Sequence, residues 1–260
     1  KSKYNVEIKT RHEVLSIDTD NKSVSVKDLA TGGIFTDHYD KLIIATGARA
    51  VTPPIPGREQ AHVFTLRNIN DMLRIESFLM EKKPRTAAIV GTGFIGLEMC
   101  ESLTRLGISV TLLEKLPQVT PGLDSDMAVY VEEHLKKNNI AVKTGVSITE
   151  ITEDSVVLAD GTAIPAELTL LSTGIRPNGE LAASAGVVLG KSGAILVNER
   201  METNLTDVYA CGDCTEQFHV VTGQQVYRPL GSTANKTGRI AGDCATGGNL
   251  RYRGTLGTGI

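Results

Sequence analysis

One glycine-rich turn, set between two apolar runs, constrains this chain more than any other feature. Ala87–Val90 is a continuous apolar stretch, and Gly91-Thr-Gly93-Phe-Ile-Gly96 follows it at once. Ile95, Met99, Leu103 and Leu106 then recur at helical spacing, with Gly107 placed to stop the helix. Val110–Leu113 is the next apolar run, and Glu114 closes it 23 positions after Gly91. A lone G-x-G-x-x-G says little. In a strand–turn–helix–strand unit that ends in an acid, it reads as a dinucleotide fingerprint. Gly91 permits the tight turn, Gly93 lets backbone approach a pyrophosphate, and Gly96 lets helix pack close on strand. The helix N-terminus offers unpaired N–H groups and partial positive charge to phosphates, and Glu114 is placed to accept from ribose hydroxyls.

The segments around this unit fit the same plan. Asn70–Lys82 reads as a helix with Met72, Ile75 and Leu79 on one face. Asp124 is placed to cap a second helix running to about Lys137, and a strand starts at Ile140. Ile148–Ile151, Val156–Leu158 and Thr162–Ile164 read as an antiparallel meander with Asp160-Gly161 as a hairpin turn. Leu168–Leu171 is again apolar and ends in Ser172-Thr173-Gly174. Upstream, strand-like alternation runs through Val6–Ile8, Val14–Ile17 and Ser23–Val26, then Leu42–Ala45 ends in Thr46-Gly47. YDKLIIATG and AELTLLSTG therefore close two copies of one plan. Gly91 precedes Gly174 by 83 positions, which puts the first copy's glycine loop about 36 positions before residue 1. The expectation is that the first domain lacks its opening βαβ unit.

Composition excludes several classes. The 260 residues carry a net charge of -3, so no basic field holds nucleic acid or an anionic membrane. No apolar run approaches the roughly 20 residues of a membrane span, and the opening residues do not form a signal peptide. Twenty-six glycines and no tryptophan suit an α/β protein rich in backbone-binding turns. Four cysteines are too few for a disulfide scaffold, so reduced thiols and a cytoplasmic setting are expected. His62, His134 and His219 have no partner at ligand spacing, so no metal site is expected, and His134 sits on a charged helix face. Met127, Val131 and Leu135 read as core of that helix, while Glu132-Glu133 and Lys136-Lys137 read as surface pairs.

A second motif is Thr203-Asn-Leu-Thr-Asp-Val-Tyr-Ala-Cys-Gly-Asp213, a strand running into Gly-Asp. Alone, Asp213 is open to two readings, an ordinary strand-end aspartate or an acceptor for a ribitol hydroxyl. With Ala45-Thr46-Gly47, the glycine loop and Thr173-Gly174-Ile-Arg-Pro177-Asn178 in order, the chain resembles the pyridine nucleotide-disulfide oxidoreductases, two-domain flavoproteins related to glutathione reductase. Pro229-Leu-Gly-Ser-Thr-Ala-Asn235-Lys-Thr-Gly238-Arg239-Ile-Ala241 and Tyr252-Arg-Gly254-Thr-Leu-Gly257-Thr258 resemble more narrowly the coenzyme A-disulfide reductase and NADH oxidase/peroxidase branch.

The resemblance implies an α/β fold of two Rossmann-like domains with antiparallel meanders. A nicotinamide-nucleotide domain at 70–180 would be inserted into a partial flavin domain at 1–69 and 181–260. It implies hydride transfer from NADH to FAD and on to a disulfide, polysulfide or oxygen-type acceptor, in a homodimeric parent protein. Gly91, Gly93, Ile95, Gly96, Glu114 and Gly174 would contact NAD(H), while Thr46, Gly47, Asp213, Leu230 and Gly231 would contact FAD. Glu98, one turn into the glycine helix, would lie near the flavin–nicotinamide contact. A Glu114 carboxylate facing a 2′-phosphate costs about 1 kcal/mol in water and about 4 near a protein surface, so NADH is expected over NADPH by tenfold or more, softened by Lys115.

The departures also count. No cysteine occupies the family's redox position, which is expected upstream, and the C-terminal interface domain is expected beyond Ile260. Cys211-Gly-Asp-Cys214 invites a redox reading, but Asp213 inside it would raise a neighbouring thiol's pKa, and Cys211 ends an apolar strand. A structural role for both thiols is expected. Two other readings stay open: a flavin-free NAD-dependent dehydrogenase, and a non-catalytic NAD(H)-binding module in the chain as it stands.

Overall fold

A computed structural model describes residues 5–257. Thr258 of the last motif lies outside them. The chain opens with an antiparallel meander of β1 (His12–Asp18), β2 (Ser23–Asp28) and β3 (Ile34–His38). The third strand is Ile34–His38 rather than Val6–Ile8. Gly32, at φ +78°, reverses the chain and pairs Ile34 with Lys27, while Val6 and Ile8 stay exposed outside any strand. β4 (Leu42–Ile44) and the short β5 (Ala48–Ala50) follow.

Next come β6 (Val63–Phe64), α1 (Ile69–Lys82), β7 (Thr86–Val90), α2 (Phe94–Arg105), β8 (Ser109–Leu113), α3 (Ser125–Lys137) and β9 (Ala141–Lys143). A second meander, β10 (Ile148–Ile151), β11 (Ser155–Leu158) and β12 (Ala163–Pro165), leads into β13 (Leu168–Leu171) and β14 (Ile175–Pro177). The return comprises α4 (Glu180–Ser184), β15 (Val208–Ala210), the hairpin β16 (Gln217–Phe218) and β17 (Gln225–Val226), and α5 (Gly231–Ala245).

The described chain forms two compact units, Arg49–Ile175 and the flanking residues 1–48 with 176–260. The first boundary falls at 48/49 rather than 69/70, because β6 adds its two residues to the edge of the inserted sheet beside β13. The second falls at 175/176 rather than 180/181.

In the inserted unit, five parallel strands lie in the order β6-β13-β7-β8-β9. Successive strand residues face opposite sides, so the sheet supports two cores. Ile89, Leu103, Leu112, Leu168 and Leu170 are fully buried on the helix side, and Leu113, Ile151, Val156 and Leu171 on the side of the second meander. Each such side chain stabilises the fold by about 1.5–3 kcal/mol. Of the expected helix faces, Ile75, Leu103 and Leu135 are buried, but Met72, Leu106 and Met127 are 45%, 66% and 52% exposed. Cys100 and Ala128 fill the places that the longer residues leave. Asp124 stands at the α3 N-cap without a side-chain cap hydrogen bond, whereas α1 starts in a full capping box of Asn68 and Asp71.

The flanking unit repeats part of this plan. Its meander leads into β4, which pairs in parallel with β15. Ile44, Val208, Ala210 and Cys214 form one core there, and Tyr209, Cys211, Ile240 and Cys244 another against α5.

Candidate functional site

The inserted sheet changes direction of winding between β7 and β13. From β7 the chain passes through α2 to β8 on one side, and β13 lies on the other. In an open parallel sheet, ligands bind in the crevice outside the carboxyl ends of the strands at such a switch point. The glycine loop leaves β7 here, and Ser172–Gly174 leaves β13, whose Leu171 pairs with Val90.

The three loop glycines are held for different reasons. Gly91 has φ +102°, and a Cβ on it would meet the Ser172 carbonyl oxygen at 2.4 Å. A Cβ on Gly96 would lie 2.2 Å from the Gly91 carbonyl oxygen and 2.7 Å from Ser172 Oγ. Both positions are closed by backbone. Gly93 is the opposite case: exposed, at the α2 N-cap, with nothing within 4 Å of where a Cβ would stand. The chain's own packing does not require a bare Cα there. The first turn of α2 carries no acidic residue, and its cap makes no side-chain hydrogen bond, so the positive end of the helix dipole is left uncapped.

Glu114 sits at the end of β8, only 7% exposed. Its Oε2 accepts from Thr92 N at 3.0 Å and Thr92 Oγ1 at 2.7 Å, and its Oε1 from Leu116 N at 2.9 Å. The carboxylate thus ties the glycine loop to the turn after β8, and Thr120 N adds a bond to Thr92 Oγ1 at 3.2 Å. Ile95 is half-buried and lines a shallow hollow of about 380 Å³ with Leu66, Arg67, Asn68, Ile69 and Met72. Glu98 is exposed on α2.

Thr46-Gly47 and Thr173-Gly174 are built as counterparts. Thr46 Oγ1 donates to Asn178 O at 2.6 Å, while Asn178 N donates to Gly47 O at 2.9 Å. Thr173 Oγ1 donates to Val51 O at 2.7 Å, while Val51 N donates to Gly174 O at 2.9 Å. Each threonine bonds the residue four positions past the other copy's glycine. Gly47 and Gly174 take φ +67° and +101°, so each turn needs a residue free of Cβ strain.

In the flanking unit, Gly212 (φ +77°) and Asp213 lie in a 3₁₀ turn, Gly212–Cys214, packed against α5. Gly212 N donates to Thr237 Oγ1 at 3.1 Å, and Tyr227 Oη donates to Asp213 O at 3.1 Å. This brings Asp213 and the start of α5 into one region. Leu230 is the α5 N-cap without a side-chain bond, and the first turn from Gly231 has no acid. Like α2, this helix keeps an uncapped positive end.

All four cysteines are free and buried. Burial pushes the Cys100 and Cys211 thiols up to about 11, and Cys214 also raises Cys211. The rise at Cys211 comes chiefly from burial rather than from Asp213. Cys214 Sγ donates to Cys211 O at 3.2 Å. Burial likewise holds the His62 imidazole below its ordinary pKa. No group of side chains with metal-ligand character occurs among the described residues.

Thr92, Ser172 and Asn178 were not singled out individually by sequence reasoning. A hydroxyl residue between the two fingerprint glycines was the available signal for Thr92.

Fold and glycine loop together define an α/β chain whose inserted unit is a Rossmann-type parallel sheet. The family model described as pyridine nucleotide-disulphide oxidoreductase matches residues 1–236, and the chain belongs to that family. It is 36% identical over 264 residues to an NADH oxidase of Methanocaldococcus jannaschii, covering 100% of this chain and 58% of the relative. It is 36% identical over 266 residues to an NAD(P)H coenzyme A polysulfide/persulfide reductase of Pyrococcus horikoshii, covering 99% and 58%. Among solved structures, reduced CoADR-RHD of Bacillus anthracis superposes with a TM-score of 0.91 at 39% identity, over 95% of this chain and 45% of that one. The chain therefore spans less than two thirds of the length of these relatives.

Proposed function

We propose that Arg49–Ile175 is the nicotinamide-nucleotide domain, and the flanking unit part of the flavin domain, of an NAD(P)H-dependent flavin oxidoreductase. The observation that carries this reading is the contrast within the glycine loop. Gly91 and Gly96 are closed in by backbone, while Gly93 is open at the uncapped start of a helix. Bound together, a nicotinamide supplies a hydride and a flavin accepts it, and the electrons pass on to a disulfide, polysulfide or oxygen-type acceptor.

The chain's own residues bind and orient. The α2 N–H groups would hold the dinucleotide pyrophosphate, with Gly93 admitting it to the backbone. Glu114 fixes the loop that receives the adenosine. Ile95 and Gly174 would flank the nicotinamide end, with Glu98 near the flavin contact. Asp213 would accept from the ribitol, Thr46 and Gly47 would lie along the FAD, and the α5 start at Leu230-Gly231 would set positive potential at the flavin ring. Four buried thiols, with those of Cys100 and Cys211 held above their ordinary pKa by burial, leave the thiol–disulfide step to a cysteine that the described residues do not supply.

No described helix is long and apolar enough to cross a membrane. We place the protein in the cytoplasm, on the four unpaired thiols, and as a homodimer by analogy with the branch it resembles. Calorimetric titration of NADH into the chain tests the reading. One site per chain is expected, and a folded chain that takes up neither NADH nor NADPH would overturn it.

A further inference from the structure

We propose that Asn178 is a positioning residue for the flavin: its side-chain amide closes the acceptor side of the Thr46-Gly47 turn, so that the turn meets the cofactor with N–H donors alone. The inference rests on the flavin-domain reading of the flanking unit and deepens it.

Three hydrogen bonds join Asn178 to this turn. Thr46 Oγ1 donates to Asn178 O at 2.6 Å, Asn178 N donates to Gly47 O at 2.9 Å, and Asn178 Nδ2 donates to Thr46 O at 2.9 Å. A backbone carbonyl can only accept, so Thr46 O also fixes which way round the amide stands. Both carbonyl oxygens of the turn are thereby engaged. Thr46 N and Gly47 N donate to nothing among the described residues. With Gly47 at φ +67°, the turn offers donors, which suit acceptor oxygens such as those a flavin dinucleotide carries on its phosphates and ribitol.

The second copy of the plan is a control within the chain. Thr173-Gly174 makes the corresponding two bonds with Val51, through Thr173 Oγ1 and Gly174 O. Valine has no side-chain donor, and Thr173 O accepts no hydrogen bond among the described residues. That turn forms nonetheless, with Gly174 at φ +101°. The Asn178 amide is therefore surplus to building a threonine-glycine turn, and what it changes is the face the turn presents. Its own support is firm. Pro177 and Gly179 on either side are buried, and a Cβ on Gly179 would lie 2.5 Å from Gly193 O.

The test uses protein that carries this chain together with the flanking length of its relatives. FAD affinity is read from flavin fluorescence as the stripped protein is reconstituted, and NADH affinity by calorimetry. Asn178→Ala is expected to weaken FAD binding about fivefold at every pH. Asn178→Asp is nearly isosteric but sets a carboxylate against Thr46 O, and should weaken binding about tenfold or more near pH 8. As pH falls toward about 5, protonation gives that carboxyl an O–H donor. Asn178→Asp should then recover at least about threefold relative to the parent, while Asn178→Ala should not. NADH affinity should stay within about twofold in both variants, because the glycine loop lies in the other unit.

Parent-like FAD affinity in Asn178→Ala, or a deficit in Asn178→Asp that does not shrink as pH falls, would overturn the inference while leaving the flavin reading intact. A parallel loss of NADH affinity would mark a general structural role and equally overturn it. A folded parent protein that binds no FAD would overturn the flavin reading and this inference with it.

Discussion

Replacing Gly93 by alanine separates a glycine kept for a ligand from one kept for packing. Gly93 has φ -71° and ψ 179°, a conformation open to any L-residue, and an added Cβ meets nothing within 4 Å. Gly93→Ala should therefore leave the fold intact. The narrower freedom of the unfolded chain and the poorer capping by alanine oppose each other, so stability should stay within about 1 kcal/mol of the parent. Nucleotide binding should fall. A methyl at the helix entrance holds a pyrophosphate off the backbone N–H groups, and each charge-assisted bond lost weakens binding by about 1.5–3 kcal/mol, roughly ten- to 150-fold.

Gly96→Ala is the control. Its Cβ would lie 2.2 Å from the Gly91 carbonyl oxygen, so α2 must move off β7, and overpacking of this kind costs about 1–3 kcal/mol. Thermal melts and NADH calorimetry on both variants read the two effects independently. If Gly93→Ala binds NADH as tightly as the parent, or Gly96→Ala melts with it, the division between ligand glycine and packing glycine is wrong.

Three further outcomes follow from the same structure. Cys100 and Cys211 hold their protons up to about 11 when folded but ionise near the ordinary thiol value of 9.0 when unfolded. Stability present below about 9 should therefore fall as pH rises toward 11, and a thiol reagent at pH 8 should find no reactive cysteine until the chain is denatured. Asp207 is held below its ordinary pKa by hydrogen bonds from Lys22 and Lys41. The stability this adds is present above the ordinary aspartate range and lost as pH falls through the lowered value, so Asp207→Asn should flatten the acid limb of a melting-temperature profile. Asp213→Ala should lower flavin retention in the flavin-bearing protein, whereas Cys211→Ser with Cys214→Ser should leave NADH-driven flavin reduction within a few-fold; loss of electron transfer in the double variant would make that pair catalytic.

Where local chemistry fixes conformation, the sequence was readable. The fingerprint loop, β8 running into Glu114, the second meander and the strand into Gly212-Asp213 all carry their signals within a few residues. Other features depend on distant partners. Ile34–His38 becomes a strand because the Gly32 turn returns it to β2, and only pairing distinguishes it from Val6–Ile8. α5 contains three glycines among weak helix formers, but Thr233, Thr237, Ile240, Ala241 and Cys244 are buried at helical spacing. Counting small polar residues as core would have exposed that period. The inward bonding of Glu114 was not legible, because it depends on where β7 places Thr92 relative to β8. Nor was the 48/49 boundary, since β6 joins its sheet through only two residues.

Whether this chain brings a nicotinamide nucleotide to a flavin is decided by anaerobic stopped-flow mixing of NADH with FAD-loaded protein. That protein should carry this chain together with the flanking length found in its relatives. Bleaching of the oxidised-flavin band is expected, with the NADH concentration for half-maximal rate rising at least about tenfold in Gly93→Ala. Flavin that stays oxidised while NADH is demonstrably bound would contradict the proposed transfer.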